Sequence, residues 1–351
     1  MTQDSWLAFT PRDTVFIRDG RSFDAAADAA AQAVRPGPST VAGAVGAAFG
    51  VNPLEVRGPV LARAGSGCWE PYFPVPADLV CTADATAPYV FRLSPADGLG
   101  ATDLEPAPGS VAGLRWLVPP DEAEPAAPAR GWLPAAELAG YLAGDLVPAG
   151  GTPLADLDLA GDPLWPERRV GLARDDQRRA RTGYLYQTTH LRPEDGWAFL
   201  AQCVTKPGWE HQATGPVPLG GRGRLADVAP ATVSWPAFPA GRVGKRVLVY
   251  LATPALWPGG WQIPVPPGAA LIAAATGEPE PVATLTPGPQ WARTRMLRWA
   301  VPAGSVYLLE FSDAARGAAW ASTVHGTAYG REATDLLRTA GFGVVLTGAW
   351  T

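Results

Sequence analysis

Arginine and glycine carry the chemistry legible in this chain, rather than the usual catalytic side chains. Arg168, Arg169, Arg174, Arg178, Arg179 and Arg181 crowd into one stretch, interrupted by Glu167, Asp175 and Asp176. A guanidinium offers a planar fork of donors that suits phosphate and base edges. Neutralising phosphates this way makes binding salt-sensitive, although a charge run of this kind also reads as a solvated face. Gly220-Gly221-Arg222-Gly223-Arg224 is a short basic glycine loop: either an ordinary turn, or a bare backbone that closes on an anion with two charges beside it. Arg18 and Arg21 flank Asp19-Gly20 after an alternating apolar strand, where they form surface ion pairs or meet phosphate. Ser39 then opens a small-residue stretch that ends at Gly50.

Gly341-Phe342-Gly343, followed by Gly348, invites three readings. A dinucleotide fingerprint requires the glycines between a strand and an opening helix, and here a helical pattern precedes them. An RNA-recognition motif is only partly matched, because the leading basic residue and the later aromatics are missing. The remaining choices are a helix-ending turn or a glycine loop approached by phosphate. Catalytic signatures are absent. His190, His211 and His325 have no metal-ligand spacing, and no nucleophile elbow or phosphate-loop motif occurs. No catalytic residue, metal or cofactor is therefore expected. His190 is the one histidine near basic residues, and it reads as a sheet histidine satisfied locally. Among the tryptophans, Trp165, Trp197 and Trp209 lie near the basic region and are candidates for stacking on bases, against a core role for most of the others.

The chain has 351 residues, enough for two domains, and its 47% hydrophobic content supports a full core. Its net charge of −5 speaks against nucleic acid until the distribution is read. Residues 101–165 carry ten acidic and two basic side chains, whereas 166–250 carry thirteen basic and seven acidic. Such segregation fits a polar interface on an acidic protein. Arginine makes up 26 of the 28 basic residues, a bias that a G+C-rich genome also produces, so position counts for more than abundance. Cys68, Cys81 and Cys203 are odd in number and unpaired in pattern, which predicts buried reduced thiols. No apolar run approaches the roughly 18 residues of a spanning helix, and no signal pattern opens the chain. A cytoplasmic protein without membrane contact is expected.

Patterning predicts strands over Leu7–Ile17, Val56–Arg63 and Tyr89–Leu93. It predicts helices from Ser39 or Thr40 to Phe49 and over Trp132–Leu146, with a loop at Pro119–Arg130 and a linker at Val147–Pro166. Beyond the arginine stretch, Tyr184–Leu191 and Trp197–Val204 flank Arg192-Pro193-Glu194-Asp195-Gly196 and read as a long projecting hairpin. Lys245 and Arg246 lead into a strand over Val247–Ala252. Strands at Leu297–Val301, Val306–Phe311 and Val344–Leu346, and a helix at Arg331–Ala340, complete the second half.

Six stretches, in order, resemble one family. They are PRDTVFIRDGRSF with PSTVAGAVGAAFG near the start, RRVGLARD with TGYLY at Arg168–Tyr186, PLGGRGRLADV at Pro218–Val228, KRVLVYLATPALWPGGWQIP at Lys245–Pro264, VPAGSVYLLEF at Val301–Phe311, and GFGVVLTGAW at Gly341–Trp350. The chain looks like the third subunit of the Cmr complex, a RAMP-superfamily component of type III-B CRISPR effectors. Ser22 stands where that family's FRDGRPF pattern has proline, which loosens the turn and removes no charge. The resemblance implies an α+β fold of two ferredoxin-like domains with loop and hairpin insertions. The first would span 1–150; the second, 165–351, would carry the arginine-rich hairpin and the C-terminal glycine loop. It also implies a non-catalytic subunit that binds the 5′ tag of the crRNA and docks on the large polymerase/cyclase-like subunit and the backbone subunits, without forming a homo-oligomer. The RNA would meet Arg18, Arg21, Ser39, the arginine stretch, Gly220, Gly221, Arg222, Arg224, Lys245, Arg246, Gly341, Gly343 and Gly348. The alternative is a RAMP-type endoribonuclease that processes crRNA and works through His190.

Overall fold

The computed structural model describes residues 3–18, 33–82, 86–96, 113–123, 125–210, 215–287, 293–330 and 340–350. Arg21, His211 and all but the last residue of the expected Arg331–Ala340 helix lie outside them. The fold is α+β, with antiparallel pairing in its named sheets and few helices.

A seven-stranded sheet is built around Gln3–Pro11, which pairs on one side with Leu225–Ala231 and on the other with Trp197–Thr205. Glu55–Ala64 then pairs with Trp197–Thr205, and Trp69–Pro74 follows at the next position. Numbered along the chain, the four central strands lie in the spatial order fourth, first, third, second. The C-terminal sheet repeats this order with Arg246–Leu251, Ala269–Ala275, Val306–Phe311 and Val344–Ala349. The two sheets differ in their helices. In the first, helix Pro38–Phe49 lies between strands one and two; in the second, helix Ala314–Val324 follows strand three.

Helix Pro38–Phe49 forms because Val41, Ala44, Val45, Ala48 and Phe49 fall on one face and are buried. Proline suits its first turn, and Gly50, at φ 69, closes it in the left-handed conformation. The expected cap at Ser39 or Thr40 is not used: the cap position is Gly37, without a side-chain hydrogen bond. The predicted Trp132–Leu146 helix is shortened to Ala135–Ala143, since Trp132–Pro134 joins the edge of the large sheet. Leu138, Tyr141 and Leu142 of this helix share a core with Phe73, Leu248, Tyr250 and Leu346, so one apolar cluster joins both sheets. Within that cluster Asp78 accepts hydrogen bonds from Tyr141 (2.6 Å) and Arg92 (2.9 Å).

Three expectations are corrected. The long hairpin is Leu164–Arg174 with Ala180–Pro193, and it turns at Asp175–Arg179, not at Arg192–Gly196. Trp197–Thr205 leaves the hairpin and enters the centre of the large sheet, because its nearly continuous apolar run is buried on both faces. A division between 150 and 165 therefore does not follow the sheets: two strands from beyond it, Trp197–Thr205 and Leu225–Ala231, pair with Gln3–Pro11. Finally, only Cys203 is buried, with its thiol pushed up to about 12 by desolvation, while Cys68 and Cys81 are half-buried. Among the described residues no helix is long and apolar enough to cross a membrane.

Candidate nucleic-acid interface

The segment after the first strand is the platform on which the basic elements meet. Val15 and Leu191 exchange backbone hydrogen bonds of 2.8 and 3.0 Å, which pins the base of the long hairpin. The Gly221 N–H donates to the Phe16 carbonyl at 2.8 Å and brings in the basic glycine loop. Gly220 sits at φ 92, and a Cβ there would lie 3.0 Å from that same carbonyl, so this position requires glycine. Arg222 adopts φ 56, and its guanidinium lies 5.7 Å from the centre of the Phe16 ring.

Asp13 joins the three segments. It accepts hydrogen bonds from Arg169 Nη2 (3.2 Å), Arg192 Nη2 (2.9 Å) and Arg224 Nη1 (2.5 Å). Glu167 takes the Nε–H of both Arg169 (2.6 Å) and Arg192 (2.5 Å). Burial raises the Asp13 pKa, but hydrogen bonds from Arg169 and Arg192 outweigh it and hold the carboxyl at about 2. Hydrogen bonds from Arg192 and Arg169 likewise lower Glu167. Both carboxylates stay charged at any physiological pH.

Strand alternation sorts the hairpin arginines. Glu167 and Arg169, opposite His190 and Thr188, face the Asp13 node. Arg168, Val170 and Leu172 occupy the other face with Thr189, Gln187 and Leu185, where Val170 and Leu185 are each 70% exposed. Arg174, Arg178, Arg179 and Arg181 gather at the tip, where Arg179 pairs with Asp175 at 3.3 Å and Arg178 sits at φ 63. Trp165 is exposed, its indole N–H on Glu194 at 2.7 Å, and Trp209 lies 5.6 Å from the Lys206 ammonium. Trp197 is buried against Tyr72 and is removed as a stacking candidate. His190 is 3% exposed, stacked on Phe16 at 4.6 Å, and shares a 2.9 Å hydrogen bond with Thr14 Oγ1. Burial, reinforced by Arg169 and Arg224, lowers its pKa and keeps it neutral.

Other expected site residues fall elsewhere. Arg18 and Ser39 line a cleft of about 670 Å³ between the two sheets, walled by Tyr72, Trp132 and Phe342. Arg35, which no motif marks, stacks 4.4 Å from the Trp132 ring there and pairs with Asp162. Lys245 pairs with Glu310 at 2.9 Å and Arg246 lies over Trp350, so both make their contacts on the C-terminal sheet. Gly341, Gly343 and Gly348 are all buried. A Cβ on Gly341 would lie 2.6 Å from the Gly58 carbonyl, and one on Gly348 would strike the backbone of Leu142. At Gly341 and Gly348 the neighbouring backbone leaves no room for a larger residue. Asp13 and Arg192 were missed altogether, and nothing local in the sequence marks them.

The family described as CRISPR-associated protein (Cas_Cmr3) matches residues 7–350. The chain belongs to this family. Membership places it among the components of type III-B CRISPR effectors. Among solved structures, it is similar to a chain of the Type III-B Cmr-beta complex bound to cognate target RNA and AMPPnP. That match has 14% identity over 86% of each chain and a TM-score of 0.47. A second structure of Cmr-beta bound to cognate target RNA gives 12% identity, the same coverage and a TM-score of 0.43. No curated protein matches the sequence.

Proposed function

We propose that this chain is a non-catalytic RNA-binding subunit that anchors the 5′ tag of the crRNA in a type III-B effector. The observation that carries the reading is the convergence of Arg169, Arg192, Arg222 and Arg224 on the Arg12–Arg18 segment, in a member of this family. Backbone contacts of this kind fix a short unpaired RNA in register, while guide–target pairing elsewhere supplies sequence specificity. Arg168 and the tip arginines extend the charge along the hairpin. The shared strand order of the two sheets supports two ferredoxin-like units, each with one helix lost. The exposed apolar residues and the acidic stretch ahead of the hairpin face the large polymerase/cyclase-like subunit and the first backbone subunit, with one copy of this chain per complex. The endoribonuclease alternative is disfavoured by His190, whose ring is enclosed by Phe16 and Thr14 and has no path to a scissile phosphate.

The test is to tag the protein in its own cell, purify it gently and sequence the RNA that accompanies it. Short RNAs sharing one 5′ end and diverging beyond it are expected. Recovery of no enriched RNA would sink the anchoring role. Cleavage of a crRNA precursor by the pure protein, lost in His190→Ala, would restore the alternative.

A further inference from the structure

We propose that Asp13, assisted by Glu167, is a positioning residue that sets Arg169, Arg192 and Arg224 as one cradle for a single RNA backbone phosphate. The inference deepens the RNA-binding reading and rests on it. The three arginines come from both strands of the hairpin and from the glycine loop, and like charges on separate segments repel unless a shared anion holds them. Asp13 is that anion for all three, and Glu167 doubles the hold on Arg169 and Arg192.

The bonding pattern leaves the cradle unfilled. Glu167 and Asp13 take the Nε and Nη2 sides of Arg169 and Arg192, so the Nη1 groups of both stand outside these bonds, as does Nη2 of Arg224. Arg224 Nε is a buried donor without a partner. Two carboxylates against three guanidiniums leave one net positive charge, so an anion is still attracted. The node is open to solvent, with Arg192 48% and Asp13 41% exposed. Because both carboxylates remain ionised, the arginines stay oriented before RNA arrives, and little ordering cost is left for binding.

The sign of one substitution separates this role from simple electrostatics. Asp13→Asn removes a negative charge beside a basic site, so Coulomb attraction alone predicts tighter binding. A cradle predicts weaker binding, by about tenfold, with a salt dependence shallower by about one phosphate contact. Fluorescence anisotropy of the full chain with a mixed-sequence single-stranded RNA, at several salt concentrations, reads both quantities. Asp13→Glu should restore part of the loss. Arg224→Lys, which keeps the charge and loses the fork, should weaken binding as well; it serves as the test should Asp13→Asn fail to fold. Asp13→Asn or Arg224→Lys binding as tightly as the wild type, or more tightly, overturns the cradle while leaving RNA binding intact. A wild-type chain that ignores the RNA overturns the functional reading and the cradle with it.

Discussion

Gly341 offers a direct test of what the C-terminal glycine loop is for. Its φ of 93 is a conformation that L side chains rarely adopt, and occupying it costs an alanine about 1–2 kcal/mol. The added Cβ would also lie 2.6 Å from the Gly58 carbonyl, 2.8 Å from the Val56 carbonyl and 3.0 Å from the Gly58 nitrogen. All three are backbone atoms of one strand, so no rotamer change relieves them, and overpacking of this sort costs a further 1–3 kcal/mol or so. Gly341→Ala should therefore destabilise by about 2–5 kcal/mol, read from the urea midpoint at unchanged slope. Gly208 is the control: its φ is 82 and a Cβ there would meet nothing within 4 Å, so Gly208→Ala should show the conformational cost alone. The difference between the two variants isolates the clash. Folded Gly341→Ala should bind RNA as the wild type does, since the loop is buried. The reasoning fails if Gly341→Ala melts like Gly208→Ala and yet loses RNA, because the glycine would then exist for the ligand.

Three further outcomes are expected. Replacing the exposed Arg168 and Arg174 by alanine should weaken binding to all RNA sequences alike, and should lower the salt slope by up to about two without changing stability; a sequence-selective loss would point to base contacts instead. Asp78→Ala should cost about 3–5 kcal/mol in urea unfolding, because it strands Arg92 and Tyr141 in the shared core; a cost under about 1 kcal/mol would mean that water already reaches the site. Burial lowers the pKa of both His190 and His325, so the unfolded chain takes protons that the folded chain refuses. Stability should therefore fall as pH drops below the unfolded histidine value of about 6.5, with Glu280, raised by burial, acting the opposite way nearer 4.5. A urea midpoint flat from pH 7 to 5.5, or one that declines equally in a His190→Gln/His325→Gln variant, would remove the histidines as the cause.

What the sequence yielded and what it withheld divide along one physical line. Helix Pro38–Phe49 was legible because its apolar spacing and closing glycine lie within a dozen residues, and Val306–Phe311 because its β-branched and aromatic run needs no partner to be recognised. The turn at Arg192–Gly196 is real too: Gly196 adopts φ 82 and the Trp197 N–H donates to the Glu194 carbonyl at 3.2 Å. What failed was the inference that strands flanking a turn must pair. Trp197–Thr205 has no polar face to leave in solvent, so burial on both sides draws it between Gln3–Pro11 and Glu55–Ala64, each more than a hundred residues earlier. The site follows the same rule. Arginine-rich segments announced themselves by composition, but their division into node, outer face and tip required the register of the hairpin. Asp13 was invisible because its partners are 156, 179 and 211 residues away, and an aspartate after a proline and an arginine looks like any surface acid. Local signals name the elements that carry charge. Only the non-local pairing of strands decides which charges share an anion, and that sharing is what turns a basic surface into a site with a defined geometry.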